Sequence, residues 1–336
     1  MTLNWKTAAT LAAVLWVAAH PEPGLAQVAA STTLRVEVAN VVRYVDDATD
    51  VTTIATNPSV TTAIPIRNFR RAVLIGDIVA VNGQPAKGTI IENTRDMILR
   101  TTPTPGQGIA DITRDAMLEW IYEILNVDGS PVGSLMVLGV GGGTPPPGAT
   151  PLATQGNNAI VGGTGAFLGA RGYLGGGAPP VVRTASMTED PSNRINNGGG
   201  KAVFILQVIP LYRPEISTTA AGPAVVHSSD FSPVSAAKPA AAGEILSLFA
   251  TGLGPTRASL DPGQPFPSSP LALVSSPVEV TLNGKSAEVL GAVGYPGAVD
   301  GYQVNFQVPP NTPKGAVSIQ LTAAWIAGAP VTIMVQ

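Results

Sequence analysis

Apolar, β-branched runs in this chain are short, and each is cut off by glycine- or proline-rich turn residues; that punctuation limits the fold more than any other feature. Gly139 to Gly148 (GVGGGTPPPG) and Gly175 to Pro180 (GGGAPP) connect such runs. Neither leaves room for the crossover helix that parallel strands need, so the strands are expected to be antiparallel. Thr33 to Val45, Ala72 to Val81, Thr89 to Leu99, Ser134 to Val140 and Lys201 to Ile209 read as strands, and Asn82-Gly83 is a two-residue hairpin signal. Only Ile109 to Asn126 stays ambiguous. Asp111, Asp115, Glu119 and Glu123 recur every four residues as on a helix, yet Asp115, Met117, Glu119, Ile121, Glu123 and Leu125 also fit one side of a strand.

Charge and cysteine content narrow the function classes. The 336 residues carry 19 Lys plus Arg against 22 Asp plus Glu, a net charge of −3 that supplies no basic stripe for nucleic acid. Charged residues make up 12% of the chain, about half the usual share. Its surface must therefore be built from Thr, Ser, Asn, Gln and Gly, a pattern that suits an exported β-rich protein. With no cysteine, disulfides, thiolate metal sites and a thiol nucleophile are excluded. At the N-terminus, Lys6 precedes the uncharged run Thr7 to Ala19, then the helix-breaking His20 to Gly24, then Gly24-Leu25-Ala26 with small residues where a signal peptidase reads them. A signal peptide over 1–26, cleaved after Ala26, is expected, and no other stretch is apolar enough for a transmembrane helix. The mature chain is then secreted or periplasmic.

The remaining length suits two domains. Arg213 to Pro223 (RPEISTTAAGP), rich in small polar residues, reads as the linker between a domain over 28–212 and another over 224–336.

The segment AIVGGTGAFLGARGYL (159–174) carries the strongest local motif. Val161, Gly162, Gly163, Thr164, Gly165, Phe167, Ala170, Arg171 and Gly172 occupy every fixed position of the signature of dirigent proteins, which this domain resembles. That resemblance implies the allene-oxide-cyclase-like fold: an eight-stranded antiparallel barrel with an apolar cavity, usually a homotrimer, and it reads the ambiguous segment as a strand. Dirigent proteins steer phenoxy-radical coupling, and their cyclase relatives guide closure of a lipid epoxide. Radical-coupling members carry an Asp before the motif where this chain has Gly141-Gly142-Gly143-Thr144-Pro145, so the cavity is carried over and the reaction is not. A hydrophobic or phenolic small molecule is the expected ligand.

From the residues themselves, the motif glycines serve a tight strand junction, Phe167 a core plug, and Arg171 a carboxylate partner inside or at the rim of the barrel. The glycine spacing fits no nucleotide-binding pattern. Histidine is nearly absent: His227, beside Ser228, Ser229 and Asp230, reads as a solvated loop residue rather than part of a triad, and no metal or cofactor is expected. Acid–base chemistry would fall to the carboxylates Asp77, Glu92, Asp96, Asp111, Asp115, Glu119 and Glu123, with Glu119, Glu123 and Asp77 as the catalytic candidates. Were Glu119 and Glu123 to point inward beside Trp120 or Tyr122, burial would tune them for proton transfer, whereas on the outer face they are merely solvated. Candidate ligand contacts are Arg171, Phe167, Trp120, Tyr122 and Tyr173.

In the second domain, Phe231 to Pro255, Val278 to Leu290 and Gly301 to Leu321, with Val304-Asn305-Phe306-Gln307-Val308-Pro309 the most specific piece, resemble a C-terminal domain of Solibacter type. Its IPT/TIG character implies an immunoglobulin-like β-sandwich that serves for surface or partner attachment. The whole chain is thus expected to be all-β, an eight-stranded antiparallel barrel followed by an Ig-like sandwich.

Overall fold

The computed structural model describes residues 31–46, 71–97, 115–141, 156–176, 181–190, 192–257, 260–261 and 263–336. The leader expected over 1–26 lies outside the described residues, as does the turn 142–145.

Eight strands form the first unit: β1 (Thr32–Asp46), β2 (Arg71–Val81), β3 (Lys87–Met97), β4 (Asp115–Leu125), β5 (Pro131–Gly141), β6 (Gly156–Gly165), β7 (Arg171–Gly176) and β8 (Gly200–Ile209). Each pairs antiparallel with the next, and β1 pairs with both β2 and β8, so the sheet closes into a barrel. The described part of the ambiguous segment is a strand from Asp115 to Leu125, with Leu118, Trp120, Tyr122 and Ile124 buried and Met117, Glu119, Ile121 and Glu123 exposed. Asn82 and Gly83, at φ 50° and 76°, form the β2–β3 turn that the sequence signalled.

A bulge at Asn40 (φ 52°) re-aims the second half of β1. Beyond it Arg183–Ser186 runs parallel to β1 and covers the buried Val42 and Tyr44. Two ion pairs hold this strap. Arg194 binds Asp77 at 2.6 Å and the Asn40 carbonyl at 2.9 Å, and Arg183 grips Glu189 through two bonds of 2.8 Å.

The second unit is one curled sheet. Its main strands are β9 (Val225–His227), β10 (Ile245–Thr251), β11 (Val278–Leu282), β12 (Lys285–Gly294), β13 (Tyr302–Gln307), β14 (Gly315–Ala323) and β15 (Val331–Val335). They lie in the order β9-β10-β13-β12-β11-β14-β15 around a core that includes Leu246, Leu248, Val304, Phe306, Ile319 and Leu321. The stretch read as a linker is folded onto this unit: Glu215 and Ile216 pair with β10, and Arg213 Nη1 donates to the Ala327 carbonyl at 2.9 Å.

One turn joins the two units. After β14 the chain reverses at Ala324 and Trp325, both left-handed at φ 48° and 61°, before Ile326 pairs back with Ala323. Asn-Gly is the usual choice there, and a side chain in this region costs about 1–2 kcal/mol per residue. Packing offsets the cost, because Ala324 and Ile326 are buried within the barrel's own core cluster with Phe167. The second unit therefore closes that end of the barrel. Asn126 Nδ2 adds a 2.6 Å bond to the Ser275 carbonyl, and Arg257 pairs with Asp128 at 3.0 Å.

The motif glycines divide into two kinds. A Cβ on Gly163 would lie 2.4 Å from the Phe167 carbonyl oxygen and 2.6 Å from that of Ser134, whereas a Cβ on Gly162, at the β5–β6 bulge, would meet nothing within 4 Å. Gly163→Ala is expected to destabilise the chain by about 2 kcal/mol, and Gly162→Ala to leave it unchanged or raise its stability by up to about 1 kcal/mol. Denaturant midpoints of the two variants check this contrast.

Candidate ligand site inside the barrel

Strict alternation along closed antiparallel strands decides which side chains face inward. One register row crosses the barrel wall through Arg43, Leu74, Glu92, Trp120, Val137 and Ile160. The next row toward the end away from the second unit holds Ala72, Thr94, Leu118, Gly139 and Asn158; the row on the other side holds Ile90, Tyr122 and Leu135. Polar groups thus gather on the inner wall among apolar neighbours.

Their centre is aromatic. Trp120 and Tyr122 stack with ring centres 6.1 Å apart, and Phe204 from β8 meets them edge-on at 5.1 and 5.7 Å. Beside them Glu92 is only 4% exposed and accepts a 2.6 Å bond from Thr94 Oγ1. Several buried polar atoms here have no hydrogen-bond partner among the described residues: Trp120 Nε1, Tyr122 Oη, Asn158 Oδ1 and Arg43 Nε. A buried polar group without a partner costs about 1–3 kcal/mol; Tyr44 Oη under the strap and Ser276 Oγ in the second unit are in the same condition, but the four on the inner wall are gathered where a water or a ligand can supply their bonds. They present two nitrogen donors, a hydroxyl and an acceptor next to flat aromatic rings. Burial, and secondarily the Glu92 charge, push the Tyr122 hydroxyl well above its ordinary value, so it remains a neutral donor.

Of the residues singled out in the sequence, Trp120 and Tyr122 are in this cluster, and the others lie elsewhere. Phe167 is 1% exposed but sits at the end closed by the second unit. Arg171 faces outward and donates to the Val161 and Ala170 carbonyls at 2.6 and 3.0 Å, tying the motif turn to itself rather than meeting a carboxylate. Tyr173 is half-buried and pairs across from the exposed Ala159, on the outer face. Glu119 and Glu123 are exposed on the outside of β4, where Asn93 Nδ2 bonds Glu119 at 3.0 Å. Asp77 is committed to Arg194 and to Asn40 Nδ2, the latter at 2.8 Å. None of these three carboxylates reaches the interior.

His227 is not a solvated loop residue. It is 3% exposed at the end of β9, with Nδ1 against the Glu244 carboxylate and Nε2 against the Lys238 carbonyl at 3.2 Å. Both ring nitrogens are occupied and neither meets a serine, so the imidazole pins the entry to β10. Asn305 is similarly structural, accepting from Ser247 Oγ at 2.8 Å and Gln303 Nε2 at 2.9 Å. Among the described residues, no group of His, Asp and Glu could hold a metal ion.

Glu92 is one of the carboxylates that the sequence offers, whereas Thr94, Asn158, Phe204 and Arg43 escaped the sequence reading. For Glu92 and Thr94 the signal was the parity of β3, in which Ile90, Glu92 and Thr94 face inward, but Ile90 and Ile91 are adjacent and give no clue to which is inside.

No family model and no curated protein matches the chain. Among solved structures, a polysaccharide lyase aligns at 9% identity with a TM-score of 0.18 over 91% of this chain, which spans 40% of the lyase's length. A likeness of that size carries no argument about fold or activity.

Removing a buried hydroxyl that has no partner among the described residues should stabilise the barrel. Tyr122→Phe is expected to raise the unfolding free energy by about 1 kcal/mol at neutral pH. Because the folded value is raised, the contribution of neutral Tyr122 is complete below the unfolded tyrosine's 10.0 and is lost as the pH climbs above it. Stability of the parent should therefore fall more steeply above pH 10 than that of Tyr122→Phe, as read from urea unfolding across the alkaline range.

Proposed function

We propose that this is an exported binding protein whose barrel holds a hydrophobic or phenolic small molecule, with an immunoglobulin-like second unit that attaches it to a surface or partner. The inward aromatic cluster with its unpartnered polar atoms carries the reading. A ring-bearing ligand would lie against Trp120, Tyr122 and Phe204, with its oxygen accepting from the indole and phenol donors that no described residue satisfies. The dirigent and allene-oxide-cyclase resemblance points to the same class of ligand. Binding is favoured over catalysis because Asp77, Glu119 and Glu123 lie outside the barrel, which among the residues described leaves Glu92 as the buried interior acid.

Export rests on the N-terminal pattern and the low charge. No helix among the described residues is long and apolar enough to cross a membrane. A homotrimer, which the resemblance implies, is supported by the outer face of the barrel. There Ile91, Ile121 and Met136 are register neighbours on β3, β4 and β5, each 41–45% exposed, and Met117, Leu138 and Val140 extend the patch. Contiguous exposed apolar surface of this kind marks an interaction site.

Native mass spectrometry of the protein purified from its own host reads ligand and subunit count together. The parent should appear as a trimer carrying a small molecule that organic solvent releases. Trp120→Leu should lose the molecule but keep the trimer, and Met136→Lys should do the reverse. A parent that is bare and monomeric, and that no added phenol stabilises, would remove both parts of the proposal.

A further inference from the structure

A second site lies outside the barrel, in the crevice between the two units. It measures about 490 Å³ and is lined from the barrel side by the β2–β3 and β4–β5 turns and from the other side by β11, β12 and the strained turn after β14. That volume is within the range of small-molecule sites, which favour domain junctions. We infer that this crevice binds a neutral sugar unit of a glycan, with Trp325 as its stacking platform.

Residue chemistry selects that ligand. Trp325 is partly buried, packs on the barrel's closing cluster and also lines the crevice, next to the exposed Val127. It is held there by a left-handed backbone that a tryptophan rarely adopts, and outliers of this kind concentrate at ligand sites. The polar lining is rich in acceptors. Asn126 spends its amide hydrogens on Ser130 Oγ at 2.9 Å and the Ser275 carbonyl at 2.6 Å, which leaves its oxygen to accept. Ser286 donates to Glu279 Oε1 at 2.6 Å, so the serine oxygen and the second carboxylate oxygen can both accept from a ligand, and Gln84 adds an amide. Among the described residues no Lys or Arg lines the crevice, which disfavours phosphate, sulfate and carboxylate ligands. Hydroxyl groups of a pyranose match such acceptors, and its C–H face matches an indole. An organic ammonium ion would also find acceptors and a ring, but the single carboxylate is already shared with Ser286.

This site deepens the attachment role proposed for the second unit and does not depend on what the barrel holds. Titration calorimetry of the full chain with cello-, malto-, manno- and galacto-oligosaccharides, and with tetramethylammonium, tests it. At least one neutral oligosaccharide should bind, with affinity lowered tenfold or more by Trp325→Ala. Ser286→Arg, at an exposed position that leaves the core intact, should lower it equally, while Tyr122→Phe should not. Absence of binding to every saccharide, undiminished binding by both crevice variants, or binding of the ammonium ion alone would each overturn the inference. Loss of the barrel ligand in native mass spectra, with sugar binding retained, would instead count only against the barrel reading.

Discussion

Strand β1 is paired along both edges, with β2 and with β8, and that double pairing is what the rest of the structure depends on. It removes the two free edges that an open sheet would offer for aggregation. It also makes inside and outside absolute. Once closed, every second residue of each strand is committed to an interior shared by eight strands, and a one-residue slip would exchange Glu92, Trp120 and Tyr122 for Ile91, Glu119 and Ile121. The register is held at one end by the Asn82-Gly83 turn and midway along β1 by the bulge at Asn40, which the Arg194–Asp77 ion pair fixes from outside.

With the register fixed, the two ends of the barrel do different things. At the end near the second unit, Phe167 and the Ala324 turn complete an apolar plug, and a side-chain truncation of Phe167 would cost about 3–5 kcal/mol. Nearer the other end the inner wall becomes polar, with Glu92, Thr94, Asn158 and Arg43 around the aromatic rings. One half resembles a core selected for stability. The other tolerates unpartnered polar atoms, a cost that a bound molecule with matching groups would recover on arrival.

Strand positions were largely legible in the sequence, because Gly, Pro and Asn-Gly turns punctuate it so regularly. All five strands read in the first unit reappear within a few residues of their expected ends, and an Asn-Gly pair, Asn283-Gly284, also forms the β11–β12 turn. Side-chain direction was not legible in β4. Its outer face carries Met117 and Ile121 and its inner face Leu118, Trp120, Tyr122 and Ile124, so hydrophobicity alone did not separate them. Glu119 and Glu123 stand out through their spacing, while Glu92, the buried acid, is one carboxylate among several in the sequence with nothing to mark it as inward-facing. The role of the Ala324-Trp325 turn was equally hidden, since neither residue type advertises a left-handed conformation.

Fluorine NMR of the full chain labelled with 5-fluorotryptophan tests the barrel site most directly, because Trp120 and Trp325 report separately on its interior and on the inter-unit crevice. On addition of a simple methoxyphenol the Trp120 resonance, assigned through Trp120→Leu, should shift while that of Trp325 stays in place. A Trp120 signal that ignores every phenolic and lipid probe would contradict the assignment of the barrel interior as a binding site.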